Sequence, residues 1–139
     1  MSASNPNSAI YLTDSPSQVK NKINRYAFSG GGDTAELHAQ NGGNPDVDVA
    51  FQYLRFFLHD DAELETIEKD YRAGTLSTGN LKKRCIEILS DIVLDVQKKR
   101  AAVTDEDVKT FMDPLAPKIF KMKPPSGLDA QVAQMEIKN

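Results

Sequence analysis

Three short stretches of this 139-residue chain hold side chains whose types and spacing could do binding chemistry. The chain opens Met1, Ser2, Ala3, Ser4, where small side chains and two hydroxyls let backbone N–H groups close in on an anion, as phosphate-binding nests do. Further on, Ser29, Gly30, Gly31, Gly32 and Asp33 place an aspartate at the tip of a glycine turn. Its carboxylate could accept from the exocyclic N4 amine of a cytosine in an unstacked RNA loop. It could also cap a following helix, with Glu36 three residues on. Lys82 and Lys83, with Arg84 behind them, open a long helical pattern. The dipole of a helix disfavours cations at that end, so the cluster points either to a phosphate backbone or to plain solubility.

Catalytic constellations are otherwise missing. His38 and His59 have no Cys or His partner at ligand spacing, which argues against zinc. Asp60, Asp61, Glu63, Glu65, Glu68 and Asp70 lack the glycine turn and ligand order of a calcium loop and read as a solvated helix face. No serine sits in a nucleophile elbow. Cys85 is the one cysteine, so no internal disulfide forms; among apolar neighbours it reads as a small buried hydrophobe. The residues present do not make a complete enzyme.

Seventeen basic and 20 acidic residues leave a formal charge of -3, which argues against indiscriminate coating of nucleic acid but leaves a local RNA contact open. No apolar run approaches the roughly 20 residues of a membrane helix. The N-terminus shows neither a basic start with an apolar core nor an Arg-rich transit pattern, so the expectation is a cytoplasmic protein. No membrane or DNA partner is expected.

Helices must position these candidates. Residues 14 to 27 read as the first, with Asp14 or Ser15 as cap, Pro16 in the first turn, Val19, Ile23 and Ala27 inward, and Lys20, Lys22 and Arg25 outward. The three glycines stop it. A short helix follows, capped by Asp33 or Thr34 and released at Gly42 or Gly43. In "PDVDVAFQYLRFFLHDD" one stripe holds Val47, Ala50, Phe51, Leu54, Phe57 and Leu58 and a second holds Val49, Tyr53 and Phe56. Asp48, Gln52, Arg55 and His59 are left as a polar seam, which predicts a central helix. Residues 60 to 73 form another, with Leu64, Ile67 and Tyr71 inward. From Asn80 to about Arg100 runs the longest, with Leu81, Cys85, Ile88, Leu89, Ile92 and Val96 inward. Thr104 caps a last one that turns Val108, Phe111 and Met112 in, before prolines 114, 117, 124 and 125 mark a tail. The fold class is all-α: a bundle of about five helices with a loop in front and a tail behind.

The ordered segments "MSASNPNSAIYLTD", "KINRYAFSGGGDT", "NGGNPDVDVAFQYLRFFLHDD", "DYRAGTLSTGNLKKRCIEIL" and "VTDEDVKTFM" closely resemble the C-terminal part of eukaryotic and archaeal-type tryptophanyl-tRNA synthetases, a class I family. The resemblance runs from residue 1 to about 112. It implies that Met1, Ser2, Ala3 and Ser4 continue the family's second signature, Lys-Met-Ser-Ala-Ser. That loop closes on the triphosphate of ATP, with Mg2+, when tryptophan is activated. Its Lys is absent here, as is the upstream α/β nucleotide-binding domain. Residues 15–113 then correspond to a helical anticodon-binding domain, residues 1–14 to the end of the catalytic domain, and 114–139 to an irregular tail without a family counterpart. By the same resemblance Asp33 reads a cytosine of the CCA anticodon, Lys82 and Lys83 lie along the anticodon stem-loop, and Gly32 stands where family members often have Arg. The implied partners are tRNA-Trp and, for the full-length enzyme, a second subunit. On this reading the chain is a fragment of a tryptophan-tRNA ligase, inactive alone and binding no ATP by itself.

A different class of function also fits the sequence. A stand-alone, non-catalytic helical module would dock protein or RNA, with Val49, Tyr53 and Phe56 as its apolar face.

Overall fold

The computed structural model describes Met1 and residues 4–113; Ser2, Ala3 and the 114–139 tail lie outside the described residues. It divides into two compact units, Met1–Ala102 and Val103–Asn139.

The first unit holds five helices: α1 (Pro16–Tyr26), α2 (Ala35–Asn41), α3 (Val49–Phe57), α4 (Asp61–Arg72) and α5 (Thr78–Ala101). Among the described residues there is no strand. Each helix begins where a short oxygen-bearing side chain can take an orphan N–H of the first turn. Ser15 caps α1 in a full capping box with Gln18, and Pro16 occupies the first helical position. Thr34, Asp48, Asp60 and Ser77 cap α2 to α5. Gly42, at φ 72°, ends α2 in the left-handed conformation a glycine adopts without penalty.

The core is built on α5, which lies against both α1 and α3 and also touches α4. Val19 and Ile23 from α1, Ala50, Phe51 and Leu54 from α3, Tyr71 from α4, and Leu81, Cys85, Leu89 and Val93 from α5 are buried together. Each large apolar side chain so buried contributes about 1.5–3 kcal/mol. The stripes expected for α1, α4 and the start of α5 are the ones that pack. On α3 Ala50, Phe51 and Leu54 are buried in the core and Val49 and Tyr53 pack partly against it, whereas Val47 is 50% exposed and Phe56 82%. The helix starts at Val49, so Val47 lies outside it. Asp48, expected on the polar seam, is instead fully buried. Its position as N-cap turns it inward, out of line with Gln52 and Arg55.

The second unit contributes α6 (Asp105–Met112). Thr104 and Asp107 form a capping box, and hydrogen bonds from the Thr104 hydroxyl and N–H hold the Asp107 carboxyl below its ordinary range. Val108, Phe111 and Met112, expected inward, are exposed. Eight residues of amphipathic helix offer only two turns of apolar face, too little to enclose a core of their own.

Candidate functional site

Residues 28–33, between α1 and α2, form the loop that carries Asp33, and the start of α5 lies beside it. Two backbone hydrogen bonds and one to a side chain hold the loop: Val49 N–H donates to Phe28 O at 3.0 Å, Asn44 N–H to Gly30 O at 2.8 Å, and Gly30 N–H to Asp48 Oδ2 at 2.8 Å. None of the loop glycines has a positive φ. They are needed for close approach. A Cβ on Gly31 would collide with Thr78 Oγ1 and come within 2.7 Å of His38 Nδ1. On Gly32 it would lie 2.7 Å from His38 N and 3.0 Å from the Leu37 carbonyl carbon. The backbone of α2 would have to shift before an Arg could stand where this chain has Gly32.

Under the loop lies a polar group that sequence reasoning missed. Asp48 Oδ2 also accepts from the Tyr71 hydroxyl at 2.8 Å, while Oδ1 accepts from Phe51 N–H at 3.1 Å as the cap of α3. With the Tyr71 proton committed to Asp48, Thr78 Oγ1, 3.3 Å away, donates to the tyrosine oxygen. Burial pushes the Tyr71 phenol up to about 12, with Asp48 adding to the rise and Thr78 opposing it. His38, buried and tilted against the Tyr71 ring at 5.1 Å, donates from Nε2 to Leu76 O at 2.8 Å; its Nδ1 has no partner among the described residues. The available signal for Asp48 was local: an aspartate directly before an apolar-periodic run is a start signal for a helix. Nothing local marks Tyr71 or Thr78 as its partners.

The candidate residues separate in kind. Asp33 is exposed, and Thr34 rather than Asp33 caps α2 by accepting from Leu37 N–H at 3.2 Å. Capping therefore does not occupy the Asp33 carboxylate. Lys82 donates to Ala27 O at 2.9 Å. Ala27 is the C-cap of α1, and a cation there answers the negative end of that helix's dipole. Arg84 grips Glu63 through Nε at 2.6 Å and Nη2 at 2.9 Å. Lys83 alone of the three basic residues is exposed. Phe28, at the root of the loop, is 64% exposed and presents a flat apolar face that the sequence reading did not single out.

The opening segment meets α5 near its other end, at Gln97, about 29 Å of helix from Thr78. Gln97 donates to Leu12 O and Asp14 O, both at 2.9 Å, and Met1 and Ile10 pack against the core. An open groove of about 510 Å³ borders it, lined by Leu12, Thr13, Val96, Gln97, Arg100 and Ala101. Ser4 is exposed, and residues 1–14 contain no Lys or Arg. By themselves they do not fit a triphosphate, whose charge calls for cations. Among the described residues no three His, Cys, Asp or Glu converge as metal ligands. Cys85 is buried, and burial with the nearby Asp48 charge pushes its thiol up to about 12, the state of an inert core residue.

Comparison with known proteins gives a consistent set of likenesses. The family described as tRNA synthetases class I (W and Y) matches residues 1–93. The cytoplasmic tryptophan-tRNA ligase of Homo sapiens is 58% identical over 114 residues, covering 82% of this chain and 24% of that protein. That of Schizosaccharomyces pombe is 56% identical over 113 residues, covering 81% and 29%. Among solved structures, the tryptophanyl-tRNA synthetase from Giardia lamblia superposes with a TM-score of 0.78 at 48% identity, covering 84% of this chain and 29% of that one. The chain thus spans about a quarter of the length of the relatives it matches.

Proposed function

The chain belongs to the class I tRNA synthetases of the tryptophan and tyrosine kind, and we propose that it serves a tryptophan-tRNA ligase as the part that reads the anticodon of tRNA-Trp. The ligase as a whole activates tryptophan with ATP and Mg2+ and transfers it to tRNA-Trp in the cytoplasm, as a homodimer. Within the described residues the roles divide by chemistry. Asp33 accepts from the N4 amine of an anticodon cytosine. Phe28 offers its face to an unstacked base, and Lys83 answers a backbone phosphate. Lys82 adds its charge while held at Ala27 O. Residues 1–14 correspond to part of the ATP loop of that ligase.

One observation carries this reading: Asp33 is exposed on a backbone-pinned loop while its neighbour Thr34 does the capping. The test compares binding of tRNA-Trp with CCA and of a transcript whose anticodon cytosines are replaced, at fixed salt. Asp33→Ala should lose about 1–3 kcal/mol of discrimination with the melting temperature unchanged. Thr34→Ala should instead cost about 1 kcal/mol of stability. Lys83→Ala should weaken both transcripts alike and lower the salt slope by about one unit. Equal binding of both transcripts by the unaltered chain would sink the reading.

A second reading has its own observation. Of Val49, Tyr53 and Phe56, the apolar face of a helical module that docks another protein, Phe56 is 82% exposed, while Val49 and Tyr53 are partly buried against the core. Loss of CCA preference together with unchanged folding would favour it.

A further inference from the structure

We propose that Asp48, acting with Tyr71, is the positioning residue for base discrimination: it fixes the loop that carries Asp33 without touching RNA itself. The inference rests on the anticodon reading above and adds the group that makes it geometrically possible.

The residue type is the first argument. Ser15, Thr34, Ser77 and Thr104 cap their helices with one surface oxygen. At α3 the cap is a fully buried carboxylate, and among the described residues no ion pair answers it. Burying a carboxylate this way is costly, and capping needs only Oδ1. What the second oxygen adds is a single acceptor for two donors, Gly30 N–H and the Tyr71 hydroxyl, each at 2.8 Å. Asn would offer those two donors a third donor, and Ser or Thr would have no second oxygen.

Connectivity is the second argument. Through Oδ2 the start of α3 is joined to the loop at Gly30 and to the last turn of α4 at Tyr71. From Tyr71 the chain of bonds continues to Thr78 in the first turn of α5, the helix that carries Lys82 and Lys83. Asp33 follows Gly30 by three residues, none of which makes a backbone bond outside the loop. The register between the base-reading aspartate and the basic turn of α5 is therefore set at Asp48. His38 also borders this group, from α2.

The experiment uses the 139-residue chain, Tyr71→Phe, Asp48→Asn and Asp33→Ala, measuring binding of the two transcripts, salt slope, thermal melting and backbone amide exchange on the same preparations. Tyr71→Phe keeps the ring in the core and removes one hydroxyl, so it stays folded even where Asp48→Asn does not. The expected result for Tyr71→Phe is exchange at Gly30 faster by about tenfold relative to Val19 in α1, and a CCA preference reduced about three- to tenfold, with the salt slope unchanged. A purely structural role would lower melting and weaken both transcripts in proportion. That result, or a folded variant with full preference, overturns the proposal. If the unaltered chain shows no CCA preference, the anticodon reading fails instead, and the anchoring is decided by exchange alone: an unchanged Gly30 amide in Tyr71→Phe refutes it.

Discussion

The loop that carries Asp33 and the opening segment are both irregular backbone tied to the helices by a buried aspartate, and the two ties differ in what answers the charge. Asp14 accepts from Lys22 Nζ at 2.7 and 2.9 Å and from Tyr11 N–H at 2.8 Å, with the ammonium also 4.8 Å over the Tyr11 ring. Asp48 is held by neutral donors alone: two backbone N–H groups and a phenol. A cation neutralises a buried carboxylate but is loose in direction; fixed dipoles leave the charge in place and specify orientation. The segment without binding geometry of its own has the ionic tie. The loop that must present Asp33 has the directional one.

The largest expected effect breaks the ionic side of this contrast. Lys22→Met keeps the apolar stem and strands the Asp14 carboxylate, which is buried with a side-chain exposure of 6%. Urea unfolding should show a loss of about 3–5 kcal/mol, much of it recovered when Asp14 is changed to Asn as well. A loss of only about 0–1 kcal/mol, typical of a surface pair, would show that the pair is not the tie.

A smaller effect sharpens the directional side. Gly31→Ala forces a methyl into Thr78 Oγ1 and His38 Nδ1 and should cost about 1–3 kcal/mol in thermal melts. Because the nearest atom is Oγ1, Thr78→Ala in the same chain should return part of it, and a double-mutant cycle measures that coupling. Additive losses would mean that the loop does not rest on the first turn of α5.

The smallest effect reads the unneutralised charge directly. Desolvation, and after it the field of Asp48, raises the Cys85 thiol from an ordinary 9.0 to about 12. Above the ordinary value the folded state keeps a proton that the unfolded state has lost. Stability therefore falls as pH rises past 9.0 and levels off near about 12. In Asp48→Asn the thiol should titrate somewhat lower, since desolvation remains and only the field is removed, and the window narrows at its upper end. Ultraviolet absorbance of the thiolate checks the direction. An unmoved titration would place the Asp48 charge out of reach of Cys85.

Some features were legible because their physics is local. The inward stripe of α1, a glycine exit from α2 at Gly42 or Gly43 and the burial of Cys85 follow from spacing and residue type within a few positions of chain, and the structure places the exit at Gly42. Gly79 in the first turn resembles a continued break, so the pattern starts α5 at Asn80, two residues after its true start at Thr78. The periodicity that succeeds elsewhere turns the apolar residues of α6 inward, yet they are exposed. Periodicity states which residues share a face and says nothing of whether anything covers that face.

By itself, then, the sequence determined the all-helical class of the described residues, the family to which its ordered motifs belong, and a short set of polar residues worth attention. At Asp33 and Thr34 the choice is local, Thr34 accepting from Leu37 N–H three residues on and leaving Asp33 exposed. Tertiary structure alone decided the rest. Lys82 closes α1 and leaves Lys83 in solvent, and the partners lie far along the chain, 55 residues apart for Lys82 and Ala27 and 23 for Tyr71 and Asp48. A buried donor or acceptor must be satisfied by whatever the fold brings near it, and no local spacing encodes that neighbour.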